Sequence, residues 1–196
     1  MRWVTIGMLA LLALGGCGDD EDDRTTSSSS SSDEELPQTT HMAGGLGWET
    51  EEPLVYQQPS NDMRDAQYSV RGHDVVELTV SAFEPHFGGG GTVQGNVDRW
   101  IGQIEAPGGQ SSREAAEVRT FERNDLRITR VDISGTFVGR RGMNDGMSAH
   151  PEWRLLGAIV EGGPDGLVFF KMTGPEAGVT EAVEAFDHML DSVHLE

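Results

Sequence analysis

The residue of this chain with the most distinctive chemistry is Cys17, its only cysteine. A thiol ionises to a thiolate, which is a strong nucleophile and a ligand for soft metals. With no second cysteine, the chain can form neither an internal disulfide nor a site of several thiolates. Cys17 lies where an apolar run ends and an acidic run begins, in LLALGGCGDDEDDR at residues 11–24. That position favours modification of the thiol over packing in a core.

The segment before Cys17 has the pattern of a secretory signal peptide. Arg2 supplies a positive start, residues 3–14 are uncharged and mostly apolar, and Gly15 and Gly16 follow. A helix needs about 20 apolar residues to cross a bilayer, and this run is shorter. We therefore predict a removable signal peptide at residues 1–16.

The sequence Leu14-Gly15-Gly16-Cys17 resembles the lipobox of bacterial lipoproteins. The resemblance implies cleavage between Gly16 and Cys17, a diacylglyceryl group on the thiol and an acylated amine on the same residue. Each buried methylene contributes about 0.8 kcal/mol, so two or three acyl chains would hold the protein to a membrane. The residue after the cysteine is Gly18 rather than Asp, which in this family favours the outer membrane. The domain would then face the periplasm or the cell surface.

Residues 17–44 are predicted to be a tether. The part at residues 18–40 reads GDDEDDRTTSSSSSSDEELPQTT and holds one large apolar residue, Leu36. Such a segment buries too little apolar surface to offset the entropy lost on ordering, so we expect disorder. A flexible chain of about thirty residues spans on the order of 30 Å. The folded domain, predicted as a single unit at residues 45–196, could then stand clear of the headgroups.

The charge is strongly acidic, with a net value of −19 over the 196 residues. From residue 45 onward there are 25 acidic against 12 basic residues, so the domain alone carries 12 − 25 = −13. An acidic surface repels phosphate backbones, and nucleic acid is therefore excluded as a partner. High net charge of either sign also favours solubility.

Alternation of apolar and polar residues predicts the strands. In Val75–Phe83, the apolar side chains of Val76, Leu78 and Val80 share one side. Further strands are predicted at Leu54–Gln57, Gln67–Arg71, Val118–Arg123, Leu126–Phe137, Arg154–Val160 and Leu167–Met172. The last two are apolar on both faces, which is typical of central strands, and residues 161–166 would join them as a hairpin. Within 126–137 the apolar residues change phase after position 128, which predicts a bulge or twist.

Two helices are predicted from apolar residues at helical spacing. The first has Val93, Val97, Trp100, Ile101 and Ile104 on one face and Thr92 as its cap. The second would begin with a capping box of Thr173 and Glu176, carry Pro175 in its first turn, and continue with the stripe Val179, Val183, Phe186, Leu190 and Val193. The order of elements predicts an α+β fold, a mostly antiparallel sheet of about six strands flanked by two main helices.

Two pairs of residues are candidates for binding. Asn96 and Arg99 lie off the apolar stripe of the first helix and could bind a ligand or face solvent, whereas Trp100 falls within the stripe and is predicted to be core. Arg140 and Arg141 lie in the longest connection of the domain, residues 139–153, and could hold an anionic group. The glycine run at residues 88–91 lacks a following Lys, so we predict a tight crossover rather than a phosphate cradle.

No motif for catalysis or metal binding emerges. The possible metal ligands are His73, His86, His150, His188 and His194, but no pair has His-x-x-x-His spacing, and we predict no metal and no cofactor. Gly-x-Ser-x-Gly is absent, and Ser134 lies in a predicted strand. Triads assemble from residues far apart in sequence, so catalysis is unsupported rather than excluded.

The segments at Gly88–Gly91, Asn96–Trp100 with Gln103, Leu156–Glu161 and Phe169–Glu176 resemble an uncharacterised bacterial domain family of secreted and lipid-anchored proteins. The order of elements is similar to that of the PsbP-like α/β/α sandwich, which implies docking to other proteins. The leading hypothesis is a lipid-anchored envelope protein with a non-catalytic domain that binds a protein or small ligand. The alternatives are a lipid-anchored hydrolase and a passive spacer.

Overall fold

The computed structural model of the chain describes residues 41–83, 90–139 and 149–196. Within these ranges the strands are β1 (His41–Ala43), β2 (Leu46–Trp48), β3 (Leu54–Gln57), β4 (Ala66–Val70), β5 (His73–Phe83), β6 (Ile104–Glu105), β7 (Glu117–Arg123), β8 (Leu126–Phe137), β9 (His150–Gly163), β10 (Gly166–Pro175) and β11 (His194–Leu195). The α-helices are α1 (Val93–Ile101), α2 (Ser112–Ala115), α3 (Glu176–Glu181) and α4 (Val183–Ser192). The predicted signal peptide, the lipidation site at Cys17, and Arg140 and Arg141 lie outside the described residues.

Eight strands form the main sheet, in the order β3-β4-β5-β10-β9-β8, with β6 and β7 on the outer edge of β8. All of these pairs are antiparallel, as predicted. The prediction of about six strands was too low. One strand that was not predicted is β6. Its Ile104 has helical spacing from Ile101 and was therefore assigned to the first helix. That helix ends at Ile101, and Gly102 is its C-cap.

A second sheet of three short strands, β1-β2-β11, brings the start and the end of the described fold together. Strand β1 pairs with β2, and β11 pairs with the other edge of β2. Residues 41–43 therefore belong to the fold, although the sequence analysis assigned them to the tether. Strands of two or three residues are too short to show alternation, which explains why they were not predicted.

The core has two layers, one on each face of the main sheet. Helices α3 and α4 and the small sheet cover one face, where Trp48, Phe170 and Phe186 are fully buried. Helix α1 covers the other face, and Trp100 packs there as predicted. Gly157 of β9 lies directly beneath Trp100, and a Cβ at this position would overlap the indole ring. This close approach requires glycine.

The phase change in β8 reflects burial on both faces rather than a bulge at that point. Leu126 and Ile128 pack in the layer under α4, whereas Val131 and Ile133 pack under α1. The β8–β9 register is continuous from residue 127 to residue 135, and the irregularity comes later, between Gly135 and Phe137. The phase change was predicted to mark a bulge or a twist, and no bulge lies at that point. Because the two halves of β8 pack in different core layers, the apolar residues of each half must lie on a different face of the strand.

The C-terminal helix begins and continues differently from the prediction. Strand β10 runs through Thr173 to Pro175, and Pro175 caps α3 without a side-chain hydrogen bond, so the capping box was wrong. The helix also breaks at Ala182 into α3 and α4. The apolar stripe is confirmed, since its members pack on the sheet.

The hairpins agree with the predicted strands and refine their ends. Asn124 and Asp125, both with positive φ, form the two-residue turn between β7 and β8. Strands β9 and β10 form the central hairpin, joined at Pro164 and Asp165. Because β9 begins at His150, residues 150–153 are strand rather than part of the long loop.

Among the described residues, no helix is long and apolar enough to cross a membrane.

Candidate functional site

Asn96 was predicted either to bind a ligand or to face solvent, and the structure shows it buried, with 5% of its surface exposed. Its side-chain nitrogen donates to the carbonyl oxygens of Gly90 and Thr92, the second at 2.9 Å. Its side-chain oxygen accepts a 2.6 Å hydrogen bond from Arg99, which is itself exposed. Asn96 therefore ties the segment that enters α1 to the first helical turn. Thr92 caps the helix as predicted, accepting from the Gly95 amide at 3.0 Å.

The histidines that were considered as metal ligands, and that the structure describes, lie on separate elements and have separate partners. His73 lies 2.8 Å from Glu181, His150 stacks on Trp153, His188 lies 3.8 Å from Glu51, and His194 lies 3.1 Å from Glu196. His86 lies outside the described residues. In the described part of the chain, no three His, Cys, Asp or Glu residues are placed to hold a metal ion.

A groove of about 730 Å³ lies between the edge of the sheet and the last helix. Strand β7 forms one wall, β8 the floor and α4 the other wall. Side chains at alternate positions of β7, from Glu117 to Arg123, point into the groove because successive residues of a strand face opposite sides. The groove is open to solvent and has more polar than apolar surface.

Asp132 is the centre of an ion-pair network on the floor of this groove. Its carboxylate accepts two parallel hydrogen bonds from Arg154, at 2.9 and 2.7 Å, and a third from Arg130 at 3.2 Å. Arg130 also donates to Asp187 of α4 at 2.9 Å. The Asp132 hydrogen bond raises the pKa of Arg154, with burial acting in the opposite direction. The two parallel hydrogen bonds between Arg154 and Asp132, and the low solvent exposure of these side chains, hold them in one arrangement.

The network continues towards both ends of the helix pair. Arg154 donates to the Thr180 hydroxyl at 2.9 Å, which ties β9 to α3. At the other end, Arg123 lies over the ring of Phe121 and donates to Asp191 at 2.7 Å. Positive side chains of the sheet therefore alternate with carboxylates of the helices along the groove.

These groove residues were not predicted from the sequence. Arg130 and Asp132 occupy even-numbered positions of β8, as Leu126 and Ile128 do. Their side chains therefore lie on the face of the sheet where those two apolar residues are buried. The sequence signal for this site was the presence of charged residues at positions where the apolar face of the strand would otherwise continue. The partner of Arg130 on α4, Asp187, is 57 positions away in the sequence.

Ser134, considered as a nucleophile, is hydrogen-bonded to a carboxylate. Its hydroxyl donates to Glu176 at 2.8 Å. Among the described residues, Ser134 forms no hydrogen bond with a histidine. The Ser134–Glu176 pair joins β8 to α3, and it lacks the imidazole of a serine triad.

A cluster of aromatic rings fastens β1 to the main sheet. His41 stacks on Tyr56 with ring centroids 4.6 Å apart, and its ring lies edge-on to Tyr68 at 5.3 Å. Trp48 donates to the Tyr68 hydroxyl at 3.1 Å. Burial lowers the pKa of His41 and raises that of Tyr68. Within the described part of the chain, the His41 Nε2 atom is buried and has no hydrogen-bond partner.

These elements define an α+β domain in which an eight-stranded antiparallel sheet lies between helical layers. The solution structure of cyanobacterial PsbP (CyanoP) from Synechocystis sp. PCC 6803 is similar, with a TM-score of 0.49 and 13% sequence identity. The similarity covers 78% of this chain and 88% of that chain. No family model and no curated protein matches this chain.

Proposed function

We propose that this chain is a lipid-anchored protein of the bacterial cell envelope whose domain binds an extended segment of another envelope protein in the groove between β7 and α4. The acyl chains on Cys17 would hold it, preferentially, to the outer membrane, with the domain facing the periplasm or the cell surface. Neither catalysis nor a cofactor is part of this proposal.

The lipobox resemblance at Leu14–Cys17 supports the anchor, because the cysteine is unique and directly follows the apolar run. Residues 18–23 contain five carboxylates, and like charge next to an anionic membrane would direct the tether outward. The domain has its own net charge of −13, so it would also be repelled by the anionic headgroups.

The groove carries the binding part of the proposal. Small-molecule sites enclose most of the ligand surface, whereas this groove is open to solvent, and we take a peptide segment of a partner as its occupant. Phe121, which is partly exposed, offers an apolar contact between the charged side chains. Fixed charges of both signs favour a partner segment with complementary charges, which gives specificity more than affinity.

Binding is favoured over hydrolysis because the carboxylates of the groove are committed to arginines. A general base must have an oxygen placed to accept a proton from substrate, whereas these carboxylates already accept hydrogen bonds from guanidinium groups. Asp132, Asp187 and Asp191 each accept hydrogen bonds from an arginine at 2.7–3.2 Å. These ion pairs therefore favour a site that recognises a partner segment through charged side chains held in place.

Mass spectrometry of the native protein tests the anchor. We expect a mature N-terminus at Cys17 with the mass of a diacylglyceryl group and an additional acyl chain. The matched control is Cys17→Ser, which should keep the leader and carry no lipid. An unmodified Cys17, or a leader still attached to the wild-type protein, would refute the anchor.

Site-specific photo-cross-linking in intact cell envelopes tests the groove. A photoreactive residue at Asp191 of the full chain should give a cross-linked product of one defined mass, whereas the same residue at the exposed Met63 should not. The cross-linked peptide identifies the partner, and a photoreactive residue placed in that peptide should label the groove in return. Equal products at both positions, or none, would contradict binding in the groove and favour a passive spacer.

A further inference from the structure

Strand β7 is an exposed strand at the edge of the main sheet. It pairs with β8 over all seven residues without a register shift, and among the described residues no strand pairs with its outer edge. Six of its seven residues are exposed. It contains neither a proline nor a bulge, two of the devices that commonly prevent pairing at an edge. The outer edge of β7 is therefore available to another strand.

The sequence of β7, EVRTFER, is nearly self-complementary when two copies run antiparallel. With Thr120 opposite the partner's Thr120, Glu117 lies opposite the partner's Arg123 and Arg119 lies opposite the partner's Phe121. The two-fold axis repeats each contact, so two Glu–Arg pairs and two Arg–aromatic pairs form. Each strand has equal numbers of acidic and basic residues, in a chain whose net charge is −19.

Symmetry and charge together select this register. In a two-fold symmetric pair of antiparallel edge strands, equivalent residues of the two copies lie on the same face of the sheet. Residues directly opposite each other also share a face, so even-numbered residues lie opposite even-numbered ones and odd-numbered opposite odd-numbered ones. A register centred on Arg119 puts two arginines opposite each other, and one centred on Phe121 puts Arg119 opposite the partner's Arg123 twice. The register centred on Thr120 has no like-charged pair and uses all seven residues.

We propose that two copies of this chain pair along β7 in the register centred on Thr120, forming a continuous antiparallel sheet of sixteen strands, eight from each copy. The pairing goes beyond binding in the groove and does not depend on it. A single pair of strands buries less than the roughly 1,200 Å² typical of stable complexes, so we expect a weak dimer that is best detected by trapping.

Disulfide trapping tests the register directly. Residues directly opposite in an antiparallel pair have Cα atoms about 4.5–5.5 Å apart, within the range that a disulfide accepts. The full chain with Thr120→Cys should form a disulfide-linked dimer through position 120 under mild oxidation. The matched control is Val75→Cys, which is exposed on β5 and lies away from the edge. Equal dimer yields at the two positions would overturn the proposal.

Charge exchange in the same background tests the predicted contacts. Glu117→Arg creates two Arg–Arg pairs in a dimer of that variant, and Arg123→Glu creates two Glu–Glu pairs. Each variant alone should lose about tenfold of the trapped dimer, because attractive cross-strand pairs become repulsive. A mixture of the two variants restores opposite charges at every pair and should recover the yield as a heterodimer.

Thermal unfolding of each charge variant shows whether it is folded. A mixture that remains monomeric, with both variants folded, would overturn the register. A Thr120→Cys dimer that neither charge change weakens would do the same. Failure of this pairing would leave an Asp191 cross-link to another envelope protein intact, so the two proposals fail separately.

Discussion

Replacing Asp132 with alanine removes the carboxylate that joins Arg130 and Arg154 on the floor of the groove. Three hydrogen bonds of 2.7–3.2 Å are lost, two of them in the fork with Arg154. The side chains are 11–18% exposed, so water replaces the lost partner only in part. Arg130 keeps Asp187 and Arg154 keeps Thr180. The variant should therefore be destabilised without unfolding outright.

The size of the loss follows from this partial burial. Removing one partner of a buried ion pair costs about 3–5 kcal/mol, because the other charge stays desolvated. The remaining hydrogen bonds and the residual exposure reduce the expected loss of unfolding free energy to about 2–3 kcal/mol. For a domain of about 150 residues this corresponds to a fall in Tm of roughly 5–10 °C.

Urea unfolding and thermal melting, followed by circular dichroism, measure this effect. The matched control is Glu52→Ala, which breaks a 2.6 Å pair with Arg71 whose side chains are 68% and 65% exposed. An exposed pair contributes at most about 1 kcal/mol. If the two variants lost equal stability, then burial would not set the strength of the network and the reasoning would be refuted.

Further expectations concern the aromatic cluster, the sheet under α1 and the start of α1. Because burial lowers the pKa of His41 below its ordinary 6.5, the unfolded chain binds the proton more readily, so the free energy of unfolding should fall as pH drops below about 6.5. In His41→Phe this component should vanish in urea titrations at several pH values. Gly157→Ala should cost about 1–3 kcal/mol because the new methyl group overlaps Trp100. Asn96→Ala should cost about 1–2 kcal/mol, since the Gly90 carbonyl oxygen loses its side-chain donor and the Thr92 carbonyl oxygen keeps only the backbone N–H of residue 96.

Each of these variants has a comparison that isolates its cause. His194, whose pKa is raised by hydrogen bonds with Ser192 and Glu196, is present in both proteins of the His41 pair, so its titration cancels in the difference. A Trp100→Leu change should relieve part of the Gly157→Ala strain, and purely additive losses would argue against overlap with the ring. Gln94→Ala on the exposed side of α1 should lose no more than a few tenths of a kcal/mol, and an equal loss in Asn96→Ala would contradict a buried role.

The elements that the sequence predicted well are those with a strong local pattern. Strand β5, the β9–β10 hairpin and the cap of α1 at Thr92 follow from alternation, apolar runs and capping chemistry within a few residues. The short strands β1, β2, β6 and β11 were missed because two or three residues carry no period. Strands β6 and β11 pair with partners far along the chain, which no local pattern specifies, whereas β1 and β2 pair with each other across Gly44 and Gly45.

The candidate site shows the same division. Asn96 was chosen because it lies off the apolar stripe, yet a buried amide can satisfy its hydrogen bonds at the entry to a helix, and here it does. The groove between β7 and α4 was not predicted at all. Its two walls are joined by pairs such as Arg123 with Asp191, which are 68 residues apart.

The amino-acid sequence by itself determined the acidic charge, the single thiol with its lipobox pattern, and the residues that alternate or repeat along strands and helices. These properties depend on composition and on neighbours within one or two turns. Only the tertiary structure decided that β8 buries one face in its first half and the other in its second, and that Asp132 receives two arginines. Contacts of this kind arise when the chain closes long loops to bury apolar surface, and the positions that then meet have no fixed spacing in the sequence.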